Sequence, residues 1–120
     1  MKIKIKVTKD ILRRSMWCGT DKIGNDLIIT NCAIALAVRD MLPDARVGVD
    51  SIYGHSPYFN IENSLDTRNF ISSFGYLVDT PNQRLNLPEY EFEIELPAEV
   101  VDAIDIDDIY RSETLEVVTL

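Results

Sequence analysis

The sequence predicts an α+β domain, with helices packed on one face of a mostly antiparallel sheet. Three observations carry that expectation. The stretches KIKIKV at residues 2–7 and EYEFEIEL at residues 89–96 alternate charged and apolar side chains, the period of two that a half-buried strand needs. The stretch TNCAIALAVRDMLPDA at residues 30–45 is apolar at helical spacing and stops at a proline. With 46% hydrophobic residues in 120, the chain has apolar side chains for one core, so residues 1–120 are read as a single domain.

The elements follow in order. Lys2–Val7 is a strand with Ile3, Ile5 and Val7 inward and Lys2, Lys4 and Lys6 outward. Thr8 caps a helix over Lys9–Cys18 with Asp10 in its first turn, and Gly19 stops it. GTDKIGNDLI is an exposed loop by its glycines and its Asn25–Asp26 pair. A second helix runs from residue 30 or 31 to 42. ARVGVDSIYG and SPYFNIEN are two short strands that turn near Gly54 and Pro57. NSLDTRNFISSFGYL fits a third helix capped by Ser64 and carrying Leu65, Phe70, Ile71, Phe74 and Leu77, the reading preferred here, although its Phe, Ile and Tyr content would also suit strands; DTPNQRLNLP is a loop. The second alternating strand then places Tyr90, Phe92, Ile94 and Leu96 inward. Pro97 opens the helix AEVVDAI, and TLEVVTL closes the chain as a strand. No internal repeat or low-complexity segment is present.

Composition excludes several classes of function. Twenty acidic against 12 basic residues give a net charge of −8, which disfavours direct nucleic-acid binding because that affinity comes from Lys and Arg displacing counterions. No apolar run is long enough to span a bilayer, and the alternating start is unlike a signal peptide, so a cytoplasmic protein without a membrane partner is expected. Two cysteines and one histidine make neither a disulfide framework nor a structural zinc site. No cofactor is implied.

Cys32 and His55 form the first candidate site. A thiol at a helix start feels unpaired backbone amides that favour thiolate, and His55 follows it in the order found in papain-like enzymes. A cysteine-dependent hydrolase with Cys32 as nucleophile and His55 as base is therefore one reading. The other is that Cys32 is a small core residue on a helix buried nearly all round, and His55 an exposed turn residue.

The aspartates of DAIDIDDIYRSE fail the calcium-loop pattern, since taking Asp105 as first ligand puts Ile109 at the fifth position and Tyr110 where glycine belongs. They read as the solvated side of a helix and its exit turn. Glu89, Glu91, Glu93 and Glu95 share one strand face and are candidate binding residues for a basic partner. They serve a structural end instead if the strand pairs with Lys2–Val7, because matching the apolar faces sets the Lys row beside the Glu row. Arg13, Arg14 and Arg39 are candidate phosphate-holding residues of a protein that sequesters a nucleotide signal, although no glycine-rich phosphate loop accompanies them.

The stretches KIKVTKDILRRS, CGT, NCAIALAVRDMLPDA and IELPAEVVDAID followed by LEVV resemble a group of small hypothetical proteins from bacterial and phage genomes. That group has a Lys-Val-Thr strand leading to a short helix, a helix start such as Asn-Cys-Ala-Ile-Ala, and a Leu-Pro-initiated helix near the end. The likeness covers roughly half the chain, in blocks, and DKIGNDLIIT and residues 51–88 depart from it. It carries no catalytic residue over. It implies a compact accessory protein that binds a protein partner or a small signal molecule. The expected function is thus an acidic binding protein, an accessory or anti-defence factor of a phage or mobile element, with the hydrolase and nucleotide-sequestering readings as alternatives.

Overall fold

The computed structural model describes residues 1–18, 30–77 and 80–119. The loop expected at residues 19–28 and the stop at Gly19 lie outside them. In chain order the elements are β1 (Lys2–Val7), α1 (Lys9–Cys18), α2 (Ala33–Val38), β2 (Arg46–Val47), β3 (Ser51–His55) and β4 (Tyr58–Glu62). Then come α3 (Leu65–Tyr76), α4 (Pro81–Arg84), β5 (Tyr90–Glu95), α5 (Ala98–Ala103), α6 (Ile106–Arg111) and β6 (Leu115–Val117). The fold is α+β; among the described residues there are six helices, and all strand pairs are antiparallel.

Among the described residues the strands make two three-stranded sheets, ordered β5-β1-β6 and β2-β3-β4, where the sequence suggested one. Local pairing explains the division. β2, β3 and β4 are consecutive and close through short turns at small entropic cost, whereas β1 must gather strands from the far end of the chain. The helix α2 packs against both β1 and β2 and stands between the two groups. All six of its residues, AIALAV, are buried, as a helix that is apolar all round must be. Thr114 Oγ1 donates to the Ala37 carbonyl at 2.7 Å, tying this central helix to the start of β6.

β1 pairs with β5 in the register expected from their apolar faces: Lys2 opposite Glu95, Lys4 opposite Glu93 and Lys6 opposite Glu91. Ile3, Ile5 and Val7 are fully buried beneath, each contributing about 1.5–3 kcal/mol relative to exposure. One core cluster runs from these residues through α2 to Val47, Ile52 and Phe59 of the second sheet. α3 joins the sheets on another side, where Phe70 stacks on Tyr90 of β5 at 4.9 Å and Thr67 Oγ1 meets the Tyr90 hydroxyl at 2.9 Å.

Both side-chain caps foreseen from the sequence are present. Thr8 Oγ1 accepts from the Ile11 amide at 3.2 Å, and Ser64 Oγ from the Thr67 amide at 3.3 Å. Four elements differ from expectation. α2 is shorter than residues 30–42, because Cys32 with extended ψ 167 is its N-cap and the chain after Val38 leaves it in tight turns. ARVGVDSIYG is two strands, β2 and β3, folded back at Gly48–Ser51, where the Gly48 amide donates to the Ser51 carbonyl at 2.9 Å. The Asn63 amide clasps that turn, donating to the carbonyls of Gly48 and Val49 at 3.1 Å each.

The stretch DTPNQRLNLP contains the short helix α4 with proline in its first turn, instead of being loop throughout. The last difference lies in DAIDIDDIYR, which is two helices. Asp105 breaks the run by accepting from the Asp107 amide at 3.0 Å and so caps α6.

Candidate functional site

Cys32 is sealed. It is 3% exposed and lines, with Ala33, Ile34, Val47, Phe70 and Phe74, a cavity of about 20 Å³, little more than a single water and without polar partners for one. Burial pushes its thiol up, over the opposing pull of the Ala35 and Ile34 amides and of the Arg84 guanidinium. Those amides lie close enough to favour thiolate, yet Sγ makes no capping hydrogen bond with them. The balance keeps the thiol protonated and inert, the opposite of what an activated nucleophile needs.

Arg84 stands out only in the structure, for it sits in the stretch read as loop. Pro81 starts α4, and the guanidinium at its far end turns into the core with no exposure, 4.2 Å over the Phe74 ring. Nη1 reaches the Ser15 carbonyl at 3.5 Å. Burial lowers its pKa from the ordinary value, and the Cys32 thiol pulls the other way. A cation over an aromatic ring is a packing device here, and it reinforces the closure around Cys32.

His55 stands elsewhere, at the exposed end of β3 next to the cis Ser56–Pro57 bond. Its ring meets Tyr53 edge-on at 6.4 Å. Among the described residues no hydrogen bond joins it to Cys32, and the two line different cavities. The structure does not bring nucleophile and base together.

What His55 does line is an open concavity of about 380 Å³, together with Thr30, Arg39, Asp44, Arg46 and Ser56. Arg39 is held by its own helix start: Nη2 donates to the Thr30 carbonyl at 2.6 Å and to Asn31 Oδ1 at 2.8 Å. A guanidinium has five donors, and among the described residues no hydrogen bond engages Nε or Nη1 of Arg39, which leaves them for a ligand. Arg46 projects outward because Val47 beside it on β2 is buried. No described residue pairs with its guanidinium. A smaller cavity of about 90 Å³ adjoins, walled by Met41, Phe59 and Ile104, and Asp44, His55 and Ser56 border both spaces.

The remaining candidates are placed differently. Arg13 and Arg14 are exposed on α1 and line none of these spaces, and Arg13 faces Asp10 at 3.8 Å. Of the three arginines named from sequence, only Arg39 reaches the concavity. Arg46 was missed, and its signal was weak: an outward cation on a two-residue strand has no pattern around it.

The Glu row has structural partners. Glu89 accepts from the Lys9 amide at 3.1 Å, satisfying a free N–H at the start of α1. Glu93 faces Lys2 at 4.0 Å and Glu95 faces the N-terminal ammonium at 3.3 Å. Lys4 and Lys6 turn to Glu116 of β6, at 3.9 and 3.8 Å, leaving Glu91 without an ion pair among the described residues. No cluster of three or more His, Cys, Asp or Glu placed to hold a metal occurs among the described residues, and none of their helices is long and apolar enough to cross a membrane. No protein-family model, curated protein or solved structure matches this chain.

Proposed function

We propose that the protein is a binding module that holds an anionic ligand or an acidic segment of a partner in the concavity of Arg39, Arg46 and His55. One observation carries the reading. On a chain of net charge −8, two guanidiniums line one open polar hollow, and one of them has no acidic partner among the described residues. Unanswered cations cost little in water and become useful when a ligand supplies the charge.

The hydrolase reading is weaker on the same geometry, because a sealed, protonated Cys32 offers neither access nor thiolate. The expected cytoplasmic setting and the role as a phage or mobile-element accessory or anti-defence factor belong to this proposal. A free, buried Cys32 is compatible with a reducing compartment. A bound anion also accords with the sequestering of a small signal, with Arg46 taking the place expected of Arg13 and Arg14.

The test is to purify the tagged chain natively and identify what accompanies it by mass spectrometry, for the wild type, Arg46→Glu and Cys32→Ser. The bound species should persist in Cys32→Ser and disappear in Arg46→Glu, with circular dichroism unchanged in both. Retention in Arg46→Glu with loss in Cys32→Ser would overturn the proposal.

A further inference from the structure

Resting on the reading that this concavity binds a ligand, we infer that the ligand is a small phosphate monoester with a hydroxyl-bearing middle and a planar apolar end, the layout of a nucleoside monophosphate. The two adjoining spaces set that order of groups. Arg39 and Arg46 line only the larger one, and Met41, Phe59 and Ile104 only the smaller. Asp44, His55 and Ser56 stand at the shared wall. A ligand lying across it meets two cations, then a carboxylate with a hydroxyl and an imidazole, then an apolar recess.

Each part selects a chemistry. One guanidinium fork satisfies the two oxygens of a carboxylate, so two guanidiniums suit a group with three terminal oxygens and a charge of about −1.5 to −2, which is a phosphate monoester. Asp44 repels a bare anion and rewards a donor placed next to it, as a sugar hydroxyl would be. The recess takes apolar surface that inorganic phosphate lacks. Volumes of about 380 and 90 Å³ suit one small molecule, given ligand sites of roughly 300–1,000 Å³. Longer phosphate chains are disfavoured, because the net charge of −8 opposes every phosphate beyond the reach of the two arginines.

The experiment is calorimetric titration of the full chain with adenosine 5′-monophosphate, adenosine and inorganic phosphate, each against wild type, Arg46→Gln and Ala103→Phe. Ala103 is an exposed residue bordering the apolar recess, so a phenyl group there fills the recess without entering the core. The monophosphate should bind at least about tenfold tighter than either fragment, and lose about tenfold or more in Arg46→Gln, the loss expected for charge-assisted hydrogen bonds. Ala103→Phe should weaken the monophosphate and adenosine and leave inorganic phosphate unchanged. A monophosphate no tighter than inorganic phosphate, or indifferent to Arg46→Gln, overturns the inference. A fourth probe, 3-phenylpropionate, separates the two levels. If it binds in an Arg46-dependent way while the monophosphate does not, the phosphate assignment falls and the groove stands; if no probe depends on Arg46, both fall.

Discussion

On the outer face of the first sheet, Lys2, Lys4 and Lys6 lie between the Glu row of β5 and Glu116 of β6, and each lysine finds a carboxylate within 4.0 Å. On the second sheet Arg46 and His55 border an open hollow, and neither has an ion pair among the described residues. Both sheets have three antiparallel strands over a shared core. The difference is in how charge is answered. The first sheet answers each of its lysines with its own neighbours and offers little to a partner, while the second leaves the Arg46 guanidinium open beside a cavity. A regular charge row is the more visible pattern in the sequence and the less informative about function.

The largest effect is expected in the core shared by the two sheets. Ile5→Ala, at a fully buried position of the central strand, should cost about 2–5 kcal/mol. Urea denaturation measures it. Because the core is continuous, the hollow's ligand binding should weaken with the fold; binding retained by a chain whose first sheet has melted would show the two regions to be independent.

Next in size is the reactivity of Cys32. Iodoacetamide at neutral pH should modify it roughly a hundredfold or more slowly in the folded chain than in urea, because burial holds the thiol protonated. Cys18 requires replacement by serine so that one thiol is followed. The pH dependence has a defined sign. A thiol pKa raised in the folded state means that the fold holds the proton more tightly, so this contribution is intact below about pH 8.5, the unfolded value, and declines as pH rises above it. Cys32→Ala should remove that alkaline decline. Rapid labelling of the native protein would revive the nucleophile reading.

On the second sheet the corresponding substitution is Gly54→Ala. Gly54 lies opposite Phe59 in the β3–β4 pair, and an added methyl would run into the Phe59 ring, which is buried and walls the apolar recess. The expected cost is about 1–3 kcal/mol, with the recess distorted. Thermal melting gives the first effect and ligand titration the second. Unchanged stability would mean that the ring swings aside freely.

The smallest effects belong to the charge rows. Glu116→Gln removes the carboxylate shared by Lys4 and Lys6 and should cost at most about 1 kcal/mol, whereas Glu91→Gln should be close to neutral. Raising salt should narrow the gap, since exposed pairs are screened. Equal costs in urea midpoints would contradict the geometry of the pairs.

Legible in the sequence were the long alternating strands and two of the helix caps, which depend on near neighbours in the chain, whereas the Asp105 cap and the turn at Gly48–Ser51, equally local, carry no repeating pattern and went unread. The alternation in KIKIKV and EYEFEIEL settled both strands, their inward faces and their register on one another, because a slip of one residue would expose the whole apolar set. Thr8 and Ser64 announced their helices as caps because a cap acts within three residues. The tertiary structure alone decided which cations stay open. Arg84 and Arg46 are both arginines on short elements; one is folded into the core over Phe74, and the other faces a hollow bordered by residues from three parts of the chain. Cys32 shows the same limit from the other side. Its place at a helix start was legible, but its chemistry depends on burial by Val47, Phe70 and Phe74, and those contacts span up to 42 residues of sequence separation, from 32 to 74. Local periodicity reports which face a side chain takes; the charge and solvent it meets there are supplied by chain segments that no local pattern can place.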